Sequence, residues 1–149
     1  MKRKILSFIS SNNKLLALFS KPHPEHGGGG WFVVTGGVEG NETLDNAVKR
    51  EIKEETNLDA REVFELNWGS IYEWAGEDCE ESNFISFVDN GDIKLNEEHS
   101  EFRWLDLDEF VILINWGDDK KLLKKVLKSA LKKRLYFKKL NTIDYRKKD

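Results

Sequence analysis

Gly36-Gly37-Val38-Glu39-Gly40-Asn41-Glu42-Thr43-Leu44-Asp45-Asn46-Ala47-Val48-Lys49-Arg50-Glu51-Ile52-Lys53-Glu54-Glu55-Thr56-Asn57-Leu58 is the stretch that decides how this chain folds. It reads as a loop leading into a helix over about Thr43–Thr56. Thr43 suits the N-cap, Asp45 in the first turn favours the helix dipole, and Asn57 can take the left-handed conformation that ends a helix. On a wheel counted from Leu44, Ala47, Val48 and Leu58 fall at about 300°, 40° and 320°, which marks an apolar stripe. Glu51 and Glu55 fall at about 340° and 20°, in the middle of that stripe, with Glu54 at about 280°. Lys49, Lys53 and Asn46 take the opposite side. Carboxylates facing a core are costly unless a cation satisfies them. Oxygen donors one turn apart, about 6 Å of rise, suit a hard divalent ion such as Mg²⁺, with Mn²⁺ as a substitute.

Working outward, Trp31–Thr35 is a β-prone strand ending at Gly36-Gly37. Before it, Lys21–Gly30 is a loop with two prolines and four consecutive glycines, and Ile5–Ser10 and Leu15–Ser20 read as a strand pair around a polar turn. After the helix, Val63–Trp74 holds one bent strand or two short ones, with Gly69 as the expected bulge. Asn83–Val88 and Glu101–Leu105 are further strands, and Asn90-Gly91 is a turn signal. Phe110–Trp116 is an apolar run too short to assign to helix or strand. From Asp118 onward, Leu122, Leu123, Val126, Leu127, Ala130 and Leu131 repeat with helical period, lysines opposite. Strands surrounding two long helices predict an α/β fold whose mixed sheet is covered on both faces.

Length and charge narrow the class. The 149 residues are read as a single domain, 1–149, with 136–149 as a frayed basic tail. A hydrophobic content of 39% beside 34% charged residues describes a globular rather than a disordered chain. Residues 1–118 carry 11 Lys/Arg against 24 Asp/Glu, whereas residues 119–149 carry 13 against 3. The acidic body fits cation binding, and the basic end could attract polyanions. Cys79 is the only cysteine, which excludes an intrachain disulfide and a cysteine zinc cluster and points to a reducing cytoplasm. The apolar run after Met1-Lys2-Arg3-Lys4 stops at Ser10, too early for a signal peptide, and no stretch approaches membrane-spanning length.

Read as spacing, Gly36, five residues, Glu42, seven residues, then Arg50-Glu51-Ile52-Lys53-Glu54-Glu55-Thr56-Asn57-Leu58 resembles the Nudix box. Eight of its nine specified positions match; Asn57 stands where the family has glycine. Asparagine is the usual non-glycine residue at such a helix end, so the fold is expected to tolerate it. The resemblance implies the Nudix α/β/α sandwich and a hydrolase that cuts nucleoside diphosphates linked to another group. It implies that Glu51, Glu54, Glu55 and the Gly36 carbonyl bind the divalent ion. Arg50 can fix a box carboxylate with a fork that lysine could not copy. Glu42 can reach back to loop amides or to Arg50. The general base is expected to be Glu54 or a glutamate of the later loop, where Glu97, Glu98 and Glu101 are available and Glu98 is favoured.

Further resemblances lie outside the box: Trp31 with Val34-Thr35-Gly36-Gly37-Val38-Glu39, then Glu81-Ser82-Asn83-Phe84, Glu98-His99 and Arg103-Trp104-Leu105. They are similar to the branch acting on (d)NTPs and dinucleoside polyphosphates. Trp31, Gly37, Glu39 and Tyr72 are therefore the substrate-binding candidates, and Trp31, Tyr72 and Trp74 could stack a base. Gly27–Gly30 lacks the ending of a phosphate-binding P-loop and reads as a flexible lid; His23-Pro24-Glu25-His26 reads as part of a substrate loop rather than a zinc site. The expected partner is a small nucleotide, taken by a monomer or homodimer. Two other readings stay open: action on RNA 5′ ends through the basic Lys120–Lys148 segment, and a non-catalytic nucleotide-binding module.

Overall fold

Asn12 and Asn13 sit at φ of 51° and 61°, the pair of left-handed residues that a two-residue hairpin turn demands. They join β1 (Lys2–Ser11) to β2 (Lys14–Ser20). The computed structural model describes residues 1–22, 29–74 and 76–134. The hairpin holds together only at its turn, through Ser10–Leu15 and Ser11–Lys14. Beyond that point the two strands part, and the chain from Gly30 to Gly37 fills the gap. Its first half, β3 (Gly30–Phe32), pairs with β2, and its second half, β4 (Val34–Gly37), pairs with β1 over Ser7–Lys4. The predicted strand at Trp31–Thr35 is thus two short strands that serve different partners.

The other edge of β1 takes β6 (Glu77–Val88) in parallel over nine residue pairs, and β6 pairs antiparallel with β5 (Ala60–Trp74). β7 (Glu101–Leu105) lies antiparallel on the far edge of β2. The result is one mixed seven-stranded sheet. β5 is a single strand rather than two, with register shifts at Ala60/Glu62 and Glu65/Gly69. β6 starts earlier than the apolar run at Asn83–Val88 suggests, because its first half is mostly charged and Cys79 is its one buried hydrophobic residue.

Both faces of the sheet are buried, which is why β1 and β2 read as apolar runs rather than as alternation. One face packs Ile5, Ile9, Leu16, Leu18, Phe84 and Val88 against Ala47, Val48 and Ile52 of α1 (Leu44–Thr56). The other packs Leu6, Phe8, Leu15, Ala17 and Ile85 against α2 (Leu107–Leu113) and α3 (Lys120–Leu131), through Phe110, Leu123, Val126 and Leu127. The ambiguous Phe110–Trp116 run is therefore largely the helix α2. Two serines sit among the apolar residues, and the Ser7 and Ser86 hydroxyls satisfy each other at 2.8 Å. No helix among the described residues is long and apolar enough to cross a membrane. The expected frayed tail, the Gly27–Gly28 part of the glycine run and the His23–His26 segment lie outside the described residues.

Candidate active site

Helix α1 is fixed at both ends. Thr43 Oγ1 accepts from the Asn46 amide at 3.2 Å, and Asn57, at φ 69°, closes the last turn with its N–H on the Lys53 carbonyl at 2.9 Å. The left-handed cap is one that asparagine tolerates better than other side chains, so the departure at residue 57 leaves the helix end intact. With the helix so registered, its buried face is Ala47, Val48, Ile52, Glu55 and Thr56. Glu55 is 1% exposed, a carboxyl group inside the core.

Glu51, one turn earlier, lies against the end of β4. A Cβ built on Gly36 would stand 2.1 Å from the Glu51 carboxyl carbon and Oε2. Only a residue without a side chain lets this carboxylate approach the strand. At Gly37, by contrast, a Cβ would meet nothing within 4 Å, so crowding explains the first glycine of the pair and not the second.

Arg50 ties helix, loop and strand together. Its Nε donates to Glu42 Oε2 at 2.7 Å and its Nη2 to Glu42 Oε1 at 2.9 Å. Nη2 also donates to the Gly37 carbonyl at 2.8 Å, and Nη1 donates to Glu51 at 3.0 Å and Glu54 at 3.1 Å. All five guanidinium N–H donors are engaged. Glu42 Oε1 also accepts the Glu39 amide at 3.0 Å, which closes the loop upon itself. The Arg50 hydrogen bonds pull the Glu42 carboxyl down to about 2 and push the Arg50 guanidinium above its ordinary range. Glu39 itself is largely exposed, 3.8 Å from Arg50.

Glu55 is held from the opposite side. Its Oε1 lies 2.8 Å from His99 Nε2, and the other ring nitrogen of His99 lies 3.0 Å from Ser20 Oγ. Glu55 Oε2 is buried with no hydrogen-bond partner. Burial, then the charge of Glu98, then the Glu51 carboxyl push the Glu55 carboxyl up to about 10. Burial also raises Glu51, against the pull of Arg50. Of the three loop glutamates, Glu98 is the one whose charge Glu55 feels; its own carboxylate accepts from Asn96 at 3.2 Å. Glu54, half exposed, keeps to the Arg50 side.

Among the described residues, no three His, Cys, Asp or Glu side chains gather closely enough to cage a metal ion by themselves. Two features nevertheless fit a hard cation. An orphaned, buried carboxyl oxygen at Glu55 lacks a positive partner, and Glu51 is pressed against backbone, where a carbonyl oxygen could complete the donor set. Two carboxyl groups pushed upward side by side are what a cation of charge two relieves.

Beside Gly36 opens a cavity of about 320 Å³ lined by Lys2, Lys4, Thr35, Gly36, Gly37, Tyr72 and Glu81. Lys4 Nζ stands 6.0 Å from the centre of the Tyr72 ring. A second cavity of about 260 Å³ shares Glu81 and runs on past Asn83, Phe32 and Trp116. The structure thus brings Tyr72, Gly36 and Gly37 together but places Trp31 elsewhere. Trp31 packs against Phe19 at 5.2 Å, with the Arg103 guanidinium 4.8 Å from its ring. The Trp74 side chain lies outside the described set. The sequence reading passed over Lys2 and Lys4, although two lysines at alternate positions of a strand share a face. It also gave no role to Ser20 and His99, whose meeting with Glu55 depends on tertiary structure.

The sequence pattern of the NUDIX domain matches residues 3–126. This chain belongs to the Nudix hydrolase family. Nudix hydrolases are pyrophosphohydrolases of nucleotide-linked compounds, and they generally use a divalent metal such as Mg²⁺. Among curated Nudix relatives, the chain is 31% identical to the NAD-capped RNA hydrolase NudC of Actinobacillus succinogenes over 97 residues, 64% of this chain and 36% of the relative. It is 31% identical to the same-named protein of Vibrio atlanticus over 104 residues, 69% of this chain and 36% of that one. The chain therefore spans little more than a third of these relatives. Among solved structures, the Nudix fold here is similar to a C. elegans Ap4A hydrolase, with a TM-score of 0.66, 19% identity and coverage of 89% and 99% of the two chains. It is also similar to a MutT protein from Methanosarcina mazei, with a TM-score of 0.65, 20% identity and coverage of 89% and 93%.

Proposed function

We propose that this chain is a Mg²⁺-dependent hydrolase that cuts a phosphoanhydride bond in a nucleotide such as an (d)NTP or a dinucleoside polyphosphate. The observation that carries this reading is the buried Glu55 carboxyl, with one oxygen unpartnered, beside a Glu51 pressed into the notch at Gly36. Glu51, Glu55 and the Gly36 carbonyl would hold the ion, with Glu54 completing the set from the Arg50 side. The chemistry that a bound divalent ion supplies is activation of water and neutralisation of phosphate charge. Glu54 would accept the proton of the attacking water, a role supported by its half exposure and by the hold of Arg50 on its carboxylate. Glu98, facing Glu55 from the loop, is the second candidate for that proton. Lys2 and Lys4 line the cavity where a polyphosphate would lie, and the continuation past Asn83 and Trp116 has room for a base.

The test is hydrolysis of a panel of dNTPs, dinucleoside polyphosphates and NAD-linked compounds, followed as phosphate or pyrophosphate release with and without Mg²⁺. Activity without Mg²⁺, or activity that survives Glu51→Gln and Glu55→Gln together, would refute the reading. A binder that only kept the fold would release nothing from any member.

RNA 5′ ends are the second reading, favoured by the NAD-capped RNA hydrolase name of the curated relatives and by the exposed lysines 121, 124, 125 and 128 of α3. Binding to RNA through such a face weakens as salt rises, with a log–log slope of about −0.7 per single-strand phosphate contact. A flat salt dependence removes this reading and leaves small nucleotides.

A further inference from the structure

Two elements converge on Glu55 besides its own helix. His99 belongs to the loop before β7, and Ser20 ends β2. The Ser100 amide donates to the Phe19 carbonyl at 2.8 Å, and Phe19 pairs with Glu101, so the loop is locked to β2 directly behind the histidine. The His99 side chain is 8% exposed, unusually enclosed for a residue bordering two exposed neighbours in a loop. Its two ring nitrogens are both used, on Glu55 Oε1 at 2.8 Å and on Ser20 Oγ at 3.0 Å. Nothing in the nucleotide chemistry requires a histidine here, and it does not line the cavity beside Gly36.

We propose that His99 is a positioning residue: its Nε2–H holds Glu55 Oε1, the Ser20 hydroxyl donates to Nδ1, and the chain of two hydrogen bonds turns Glu55 Oε2 toward a divalent cation. The inference rests on the reading that Glu55 holds such an ion. With Ser20 donating to Nδ1, the proton of the neutral ring stays on Nε2, where a carboxylate can accept it. An ionised Glu55 would otherwise be free to rotate about its last bond and to present either oxygen. Partners of this kind behind a ligating carboxylate typically account for about 10- to 100-fold in metal affinity or activity.

The experiment is titration of nucleotide-free protein with Mn²⁺ by calorimetry, with folding checked by circular dichroism and the melting temperature. His99→Leu is expected to weaken Mn²⁺ binding by about 10- to 100-fold. His99→Gln, which restores an N–H donor at similar reach, is expected to bind close to wild type. Ser20→Ala should fall between them. At saturating Mn²⁺ the KM for nucleotide is expected to stay unchanged in all three, since neither residue touches the substrate cavity. A folded His99→Leu that binds Mn²⁺ like wild type overturns the proposal, as does His99→Gln binding no better than His99→Leu. If His99→Leu does not fold, wild-type affinity in Ser20→Ala overturns it instead. Glu55→Gln separates the two levels. Should it bind Mn²⁺ as tightly as wild type, the metal reading itself is wrong and the role of His99 goes with it; a loss there beside an unaffected His99→Leu condemns the positioning role alone.

Discussion

Replacing Gly36 by alanine tests the site at its tightest point. The new methyl would stand 2.1 Å from the Glu51 carboxyl carbon and Oε2 and 2.5 Å from Cγ. Unbonded carbons settle at about 3.5 Å or more, so the carboxylate must retreat by roughly 1.4 Å. Gly36 does not have a positive φ, so the backbone accepts alanine without strain, and the clash falls on a flexible side-chain end. The stability cost is then an off-rotamer Glu51 and a weakened Arg50 hydrogen bond, about 1–2 kcal/mol, or a melting temperature lower by about 3–6 °C for a chain of this size. Function should suffer far more, because a misplacement of about 1 Å at a reacting centre can cost about 100-fold. The expected outcome is a folded protein with turnover down by about two orders of magnitude on its best nucleotide, read as Mg²⁺-dependent phosphate release. Turnover within threefold of wild type would refute the reasoning, since Glu51 would then need no fixed place. Global unfolding would refute it from the other side, because the clash would not be local.

Other outcomes follow from the same geometry. Glu54→Gln should fold normally and lose turnover by at least a hundredfold, consistent with the size of general-base effects; activity equal to wild type removes Glu54 from the mechanism. Arg50→Lys replaces five directed donors by three and leaves Glu42 Oε2 and the Gly37 carbonyl without their Arg50 hydrogen bonds, so both stability and turnover should fall, by about 1–3 kcal/mol for the former. In metal-free protein burial raises the Glu55 carboxyl to about 10 from its ordinary 4.5, so its proton-bound form stabilises the fold fully below about 4.5. That stability should drain away as pH rises from about 4.5 toward 10, and added Mg²⁺ should flatten the decline in a series of melting curves. Since a bound ion replaces that proton, Mn²⁺ binding at pH 7 should release protons, seen as a dependence of calorimetric heat on buffer ionisation enthalpy.

Helix α1 was legible from its sequence because cap, stripe and stop signals agree: Thr43, the Ala47, Val48 and Leu58 stripe and Asn57 all carry local information. The strands of β1 and β2 were legible for the same reason. The first half of β6 was not, since Glu77 to Glu81 earns its place by pairing with β1 rather than by any pattern of its own. Nor was the division of the Trp31–Thr35 run, which depends on how far the hairpin strands part. At the site, the wheel placed Glu51 and Glu55 inward, as the structure has them. It also put Arg50 beside Glu54, where the two meet at 3.1 Å, but it could not show that His99 arrives from forty-four residues downstream. Contacts between distant segments leave no periodic trace.

An arginine whose every donor is spoken for has nothing left to offer a visitor. Arg50 therefore belongs to the masonry of the site, and under the proposed function meeting an anionic ligand would fall to the lysines of β1, a different strand, which line the cavity beside Gly36. The two duties are separable by design of the fold. Re-aiming ligand choice could proceed by editing positions 2 and 4 of the chain while the carboxylate framework stays untouched. The reverse would fail, for a change at residue 50 disturbs four anchor points at once.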